Sequence, residues 1–397
     1  MKYQSTVVLA MMAFAGIAHA QSNVTLYGLV DAGLLYNNNI KGGKLIGESS
    51  ANSSRWGVTG NEDLGGGLKA LFTLEGGFSL PTGGLSQGGL LFGRKAFLGL
   101  KSDDYGTLTF GRQYSVSNDA TSSLASGADW AANGLSYGTR ASDVDNVDTT
   151  NRIQNAIKYQ SPSLAGLNVG LLYSVGGQTG KLSNNEVADA GVSYVNGPMK
   201  LAASYMFTKD PYYATYGDLG NSSTPSSSAT GAVNNITNRI FGGYASASSQ
   251  NILVAGGSYA LGNATLAALY SNTQFRGLGE INAVGSFGTV YHGGTATFNS
   301  GELNLKYALT PTLTLGSAYI YTRNDGAGAY EGASYRQVNL GAIYAFSKRT
   351  SAYVNGFFES ASGVDSTGKT AVADLIGSSY SSNKRQSAAI VGMTHRF

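Results

Sequence analysis

Cysteine is absent from this chain, which excludes disulfide stapling, thiol chemistry and cysteine-based metal sites. Histidine is nearly absent too, and of its three copies only His292 and His395 follow residue 20. His395 sits in an alternating terminal stretch and His292 lies among glycines with no neighbouring carboxylate, so no site of two or three histidines can be built except from these two, and neither an enzyme nor a metal site is expected. Proline numbers 6 and charged residues make up 12%, a profile that favours strands over loops and exposed helices. The glycines at Gly65 to Gly67 follow turn chemistry and lack the strand-to-helix setting or partner lysine of a phosphate cradle, so no cofactor is expected. The formal charge of +3 is too slight to argue for nucleic acid. Beyond the N-terminal segment no run of 18 apolar residues occurs, so no helix is predicted to span a membrane.

Lys2 leads an apolar stretch, Val7 to Ile17, followed by Ala18-His19-Ala20. This is the pattern of a secretory signal peptide over residues 1–20, which leaves a mature domain over 21–397. Glycine (56 residues) and tyrosine (25 residues) dominate what remains. That combination suits tightly turned strands with aromatic girdles. Period-two alternation is visible at Leu167, Val169, Leu171, Tyr173 and Val175, with Leu172 as an exception, and recurs from Met199 to Phe207 and from Val338 to Phe346.

Connections alternate in length. Short turn-rich segments occur at Glu62 to Gly67, Ser102 to Gly106, Ser161 to Gly166, Asn196 to Pro198, Leu261 to Asn263, Leu309 to Pro311 and Ser347 to Arg349. Long polar ones fall between them, including Asn37 to Ser50, Gln113 to Asn151, Lys209 to Gln250 and Ala361 to Lys384. Short turns on one rim and long loops on the other predict an all-β fold, a 16-stranded antiparallel transmembrane β-barrel with short periplasmic turns and long outer loops. Each strand with its connection then has about 23 residues, enough for the roughly 9 to 11 that a tilted spanning strand needs. Asn238 to Gln250 also reads as strand and is taken as outer loop or as an extension of the next span. A barrel of this size encloses water.

The opening Val24-Thr25-Leu26-Tyr27-Gly28-Leu29-Val30-Asp31-Ala32-Gly33, the stretch Ser54 to Gly65, the segment Phe92-Gly93-Arg94-Lys95-Ala96-Phe97-Leu98-Gly99-Leu100, then Gly111-Arg112-Gln113, Tyr344 to Thr350 and His395-Arg396-Phe397 resemble the general porins of beta-proteobacterial outer membranes. The resemblance runs in order along the whole mature chain. It implies a homotrimer of 16-stranded barrels in outer-membrane lipid and lipopolysaccharide, with the third outer loop folded into each lumen. It also implies a water-filled channel for ions and small hydrophilic solutes.

The third long loop, Gln113 to Asn151, carries Asp119, Asp129, Asp143, Asp145 and Asp148 against Arg140. Asp119 and Asp129 are the candidates to face the pore. Parity turns Arg55 away from Trp56 and Val58, and sets Arg152 with Gln154 and Lys158, opposite Ile153, Ile157 and Tyr159. A charge facing lipid at the midplane costs about 2 to 4 kcal/mol, so both arginines are expected to face water. Arg94 fits less cleanly: turning it inward puts Leu98 and Leu100 inside and Lys95 outside, which requires a bulge or an outer face not covered by lipid. By resemblance Arg55, Arg94 and Arg152 belong to the constriction. Glu75, in phase with Lys69 and Thr73, is the facing carboxylate, and Arg112 and Lys158 are further candidates for the wall or its rim.

Three guanidinium groups predict an anion-preferring diffusion channel, with the five loop aspartates as the opposing influence. The alternative is a substrate-specific uptake channel using Tyr212, Tyr213 and Tyr216. The disturbed alternation from Arg94 to Leu100 and the small residues Gly28, Ala32 and Gly99 point to subunit contacts. The final stretch Val391 to Phe397 is expected to close the barrel against Val24 to Asn37. Phe397 faces outward at the rim, where the resemblance makes it the address read by the barrel assembly machinery.

Overall fold

The computed structural model describes residues 23–132, 137–148, 150–176, 180, 183–214, 238–281, 283, 287, 293–329 and 331–397. Residues 1–22, expected to include a signal peptide, lie outside the described residues, as do Tyr216 and His292. Among these, the strand segments in chain order are β1 (Asn23–Ile40), β2 (Gly43–Ser49), β3 (Arg55–Gly65), β4 (Leu68–Gly77), β5 (Lys95–Ser102) and β6 (Gly106–Gln113). Next come β7 (Ile153–Gln160), β8 (Leu167–Ser174), β9 (Val187–Asn196), β10 (Met199–Lys209), β11 (Ala247–Leu261) and β12 (Ala264–Leu278). The last are β13 (Thr295–Ala308), β14 (Leu313–Asn324), β15 (Ala333–Ala345), β16 (Thr350–Gly363) and β17 (Arg385–Arg396).

These 17 segments occupy 16 positions, because β2 pairs with β1 from Gly33 to Ile40 while β3 pairs with β1 from Asn23 to Leu29. Every other strand pairs antiparallel with its chain neighbours, and β17 returns to β1, so the sheet is a closed 16-position barrel. Closure leaves no unpaired strand edge, which is the only way a sheet can cross hydrocarbon without exposing backbone donors. All seven short segments fall at strand-to-strand turns, and β11 begins at Ala247 as a single span, so the expected count holds. One expectation changes: Asn37 to Ser50 is no loop, since β1 and β2 extend the sheet through a two-residue turn at Lys41 and Gly42, both with positive φ.

Alternation sorts the side chains cleanly. Leu201, Tyr205, Leu253, Leu266, Tyr270, Leu303, Tyr319, Leu340 and Val391 are exposed on the outward face, while Ser204, Gln250, Ser271, Glu302, Gln337 and Asn339 are buried on the other. A soluble barrel would reverse this order, so the outward apolar band marks the lipid-facing surface.

The closing seam is bonded on both faces. Gly28 and Phe397 exchange backbone hydrogen bonds of 3.1 Å each way, and a Cβ on Gly28 would overlap the Phe397 ring, which lies across it. On the inner face Asp31 is fully buried, and its Oδ1 accepts from the Tyr353 hydroxyl (2.7 Å) and the Ala51 amide (2.8 Å). Its Oδ2 accepts from Asn52 (3.0 Å) and from the Thr394 hydroxyl. One carboxylate thus ties β1 to β16, to β17 and to the segment between β2 and β3. Asp31→Ala strands several buried donors at once and is expected to lower barrel stability by about 3 kcal/mol. Urea unfolding followed by heat-dependent gel mobility measures it, and an unchanged midpoint would contradict the role given to Asp31.

Candidate functional site

The site grows from the ends of β3 to β7. Glu75 sits on the inner face of β4, where its Oε1 accepts from Arg94 Nε at 2.6 Å and its Oε2 from the Tyr27 hydroxyl at 2.8 Å. Arg94 also donates from Nη2 to the Tyr114 hydroxyl at 2.6 Å. The Tyr114 ring gathers three cations, with Lys95 Nζ at 5.2 Å, Arg152 Cζ at 5.4 Å and Arg94 Cζ at 5.9 Å from its centroid. Lys158 Nζ donates to the Tyr114 carbonyl at 3.0 Å, and Arg55 lies within electrostatic reach of Arg94, Glu75 and Tyr114. Two unit charges about 6 Å apart repel by roughly 1 to 3 kcal/mol at water-like to surface-like dielectric. Each cation over a ring recovers about 0.5 to 2 kcal/mol. The tyrosine therefore offsets much of the cost of clustering like charges.

Arg94 and Lys95 both point inward without a bulge in β5, because Arg94 precedes the strand and escapes its phase. Leu98 and Leu100 stay on the exposed outward face, opposite Phe97 and Lys101. Arg152 reaches the same place by another route than expected. Asn155 has φ 49° and the register shifts between Gly111 and Gln113, so the phase that turns Lys158 inward does not extend to Arg152. Ile153 is buried at 1% relative exposure on the inner side, contrary to its assigned outward parity. Arg112 is a correction: it shares the outward side of β6 with Phe110 and donates from Nε to the Gly93 carbonyl at 2.7 Å, away from Thr109 and Gln113. Gly99 likewise turns inward against Thr109, so it offers nothing to a subunit contact.

Below the cluster a cavity of about 540 Å³ runs along the inner wall. Lys69, Lys95, Lys101 and Lys158 line it, with Asp119 as the only carboxylate in its lining. A larger apolar groove of about 740 Å³ opens on the outward face among Leu201, Tyr259, Leu266, Leu303 and Tyr319. It carries no charged group, in contrast to the smaller, basic cavity on the inner wall.

The segment 114–152 binds strands all round the barrel. The short helix α1 (Val116–Thr121) is N-capped by Ser115, and Ser117 donates from its amide (2.9 Å) and hydroxyl (2.6 Å) to Asp189 on β9. Val116 fills the space above Gly170 and Gly191, and Leu172, the exception to outward alternation, packs in the same buried cluster. On the far side the Trp130 indole lies on Gly316 and Gly341, where any Cβ would collide with it. Asn339 and Gln337 of β15 donate to the carbonyls of Gly138 (2.8 Å) and Tyr137 (2.9 Å).

Between these seats Arg140 is completely buried, with Nε 2.8 Å from Asp145 and Nη1 2.6 Å from Glu302 of β13. Burial alone would lower the Arg140 pKa, but the two carboxylates outweigh it and hold the group charged. Burial and the Asp143 carboxylate push Asp148 well above the usual range, and burial with Asp145 raises Asp143 to about 6. Of the five loop aspartates only Asp119 and Asp129 remain partly exposed, and they pair with Lys158 and Lys306 on opposite walls. Tyr212 and Tyr213 are buried in an aromatic cluster with Phe241, Tyr244 and Phe275, which removes them as a slide for solutes.

The sequence model of the family described as Gram-negative porin matches residues 5–360. The chain belongs to that family. It is 29% identical over 405 residues to outer membrane porin protein 32 of Delftia acidovorans, covering 99% of each chain. It is 36% identical over 228 residues to an outer membrane porin protein of Bordetella pertussis, a match over 48% of this chain that spans only 56% of that relative. A solved structure described as an anion-selective porin from Comamonas acidovorans has the same fold, with a TM-score of 0.67 at 23% identity over 95% of this chain and 100% of that one. The porin is thus an outer-membrane β-barrel channel, and passive passage takes the place of any chemical step.

The buried triad is the part of the porin most open to test. Removing one partner of a buried ion pair typically costs about 3 to 5 kcal/mol. Glu302→Ala is therefore expected to loosen residues 114–148 while the strands stay protected. Hydrogen exchange read by mass spectrometry checks this, and wild-type exchange in that segment would contradict it.

Proposed function

We propose that the porin is a general diffusion channel with a preference for anions, and that Arg55, Arg94 and Arg152 form its constriction with segment 114–152 folded into the lumen. The observation that carries this reading is the convergence of Arg94, Lys95 and Arg152 on one tyrosine ring with Glu75 as the nearby carboxylate. Arg55 and Arg152 donate to the carbonyls of Ser53 (3.1 Å) and Thr150 (3.0 Å), neutral partners that leave their charge uncancelled. Lumenal placement of the segment is supported by its bonds to β9, β13 and β15 through side chains opposite the lipid-facing band.

The sign of selectivity follows from the charges that line the basic cavity and the cluster beside it. Asp143, Asp145 and Asp148 are buried with Arg140, so the opposing influence expected of five aspartates shrinks to Asp119 and Asp129. The wall keeps Lys69, Lys95 and Lys101 besides the arginines. At physiological salt the screening length is about 8 Å, comparable to a pore constriction, so the field of these groups spans the water between walls. Interactions on the order of 1 to 4 kcal/mol per close pair steer small anions without trapping them. Guanidinium suits the task because it never deprotonates. The description of the Comamonas acidovorans structure as anion-selective agrees with this sign.

The same reading takes residues 1–20 as a leader removed on export, and three copies as the working assembly in lipid and lipopolysaccharide. Phe397, exposed beside Gly28 at the rim, is the residue the barrel assembly machinery would read.

Planar bilayer recording in a KCl gradient tests the proposal. A reversal potential on the chloride side is expected, together with a shift toward no preference in the Arg55→Ala, Arg94→Ala, Arg152→Ala variant. Cation preference unchanged by the three substitutions would sink it. Flux of neutral sugars is expected to rise linearly with concentration, as befits a channel without a dedicated ligand site.

A further inference from the structure

Five polar or cation–ring interactions converge on Tyr114, a residue just past the end of β6 that carries no charge and no motif. Its ring meets Arg94, Lys95 and Arg152, its hydroxyl accepts from Arg94, and its carbonyl accepts from Lys158. It also lines the basic cavity of the inner wall. We infer that Tyr114 is the positioning residue of the selectivity site, the neutral hub that fixes the spacing of three cations so that their summed field faces the waterway. This deepens the anion-preferring reading and rests on it.

Long basic side chains placed close together normally splay apart into solvent, since repulsion and rotamer entropy both favour separation. Here one rigid ring with two rotatable torsions presents a negative face and a hydroxyl acceptor to them at once. Glu75 alone cannot do this, because its oxygens are taken by Arg94 and Tyr27, so that it hydrogen-bonds one of the three cations. The carbonyl bond to Lys158 anchors the hub to β7, and that lysine is itself ion-paired with Asp119.

The surroundings also make the hub titratable. Arg94, Lys95, Arg152, Lys158 and Arg55 face Tyr114 from the positive side and Glu75, Tyr27 and Asp119 from the negative. Burial by itself raises the phenol pKa, but Arg94 and Arg152 outweigh it and hold the group below its ordinary value. Ionisation in alkaline solution would place a phenolate amid the cations and cancel part of their field. The lysines also lose charge at high pH, so the tyrosine's share is the part that Tyr114→Phe abolishes.

The test is the chloride-to-potassium permeability ratio of the full-length porin in bilayers from pH 6 to pH 10.5, for wild type, Tyr114→Phe and Tyr114→Leu. Tyr114→Leu is expected to lower the neutral-pH ratio threefold or more with unheated gel mobility unchanged, although no fixed charge is removed. Tyr114→Phe, which keeps the ring, is expected to stay within about twofold of wild type at neutral pH and to hold its ratio further into the alkaline range than wild type does. An anion-selective wild type whose ratio is matched by both variants at every pH overturns the role of Tyr114 and leaves the parent reading standing. A wild type without anion preference at neutral pH overturns both.

Discussion

A single guanidinium, Arg140, buried between Asp145 and Glu302, is the interaction on which the interior arrangement depends. Segment 114–152 must cross from β6 to β7 while touching strands far round the ring, and a segment that long has a large entropy to lose. Apolar contacts at its two ends do part of the work. Val116 on Gly170 and Gly191 holds the start, and Trp130 on Gly316 and Gly341 holds the middle. Between them the ion triad supplies direction, since Glu302 Oε1 also accepts from the Ser126 amide at 2.6 Å and Ser271 donates to Asp145 at 2.5 Å. A buried ion pair contributes little net stability against an apolar substitute but imposes a severe penalty on any arrangement that separates the partners. Its effect is to select one path for the segment.

That choice of path decides the electrostatics of the waterway. The carboxylates that satisfy Arg140 and its neighbours are withdrawn from water, and the two that remain face lysines. The acidity of the loop is therefore largely absorbed in fixing its own conformation. The arginine cluster has no comparable sink, because the carboxylate bonded within it, Glu75, is already held by Arg94. Net field and loop conformation are thus two consequences of the same pairing.

Much of this was legible in the residue pattern and some was not, for identifiable reasons. Alternation and turn length read the barrel correctly, because a membrane sheet must obey period two across its whole width and cannot leave an edge unpaired. Glu75 keeps the inward phase of β4 and bonds Arg94, and Arg55 opens β3 within reach of both. Arg94, Arg112 and Arg152 lie at strand ends, where a start of strand, the outer rim or a left-handed residue such as Asn155 resets the phase. Parity has no authority there. Tyr114 escaped notice altogether, because an isolated tyrosine among 25 carries no signal until its neighbours are known. The loop seats did leave a trace. Leu172 broke the outward alternation because it packs beneath the incoming segment, and the inward glycines at 170, 191, 316 and 341 mark where side chains had to be absent.

The closing seam shows why barrel and site are one problem. Tyr27 on β1 bonds Glu75, Asp31 two pairs along bonds Tyr353 and the segment before β3, and that segment ends at Ser54 and Arg55. Ser54 itself donates to the Asp31 carbonyl and accepts from its amide, so Arg55 enters its strand from a point fixed by the seam. A register slip between β1 and β17 would turn Asp31 to lipid and Gly28 away from Phe397, since one residue of slip exchanges the faces of a strand. It would also pull the start of β3 out of place. Correct closure is therefore a precondition for placing Arg55 and Glu75 beside Arg94, and the two ends of the chain set the geometry of this charge cluster as directly as the residues that surround it.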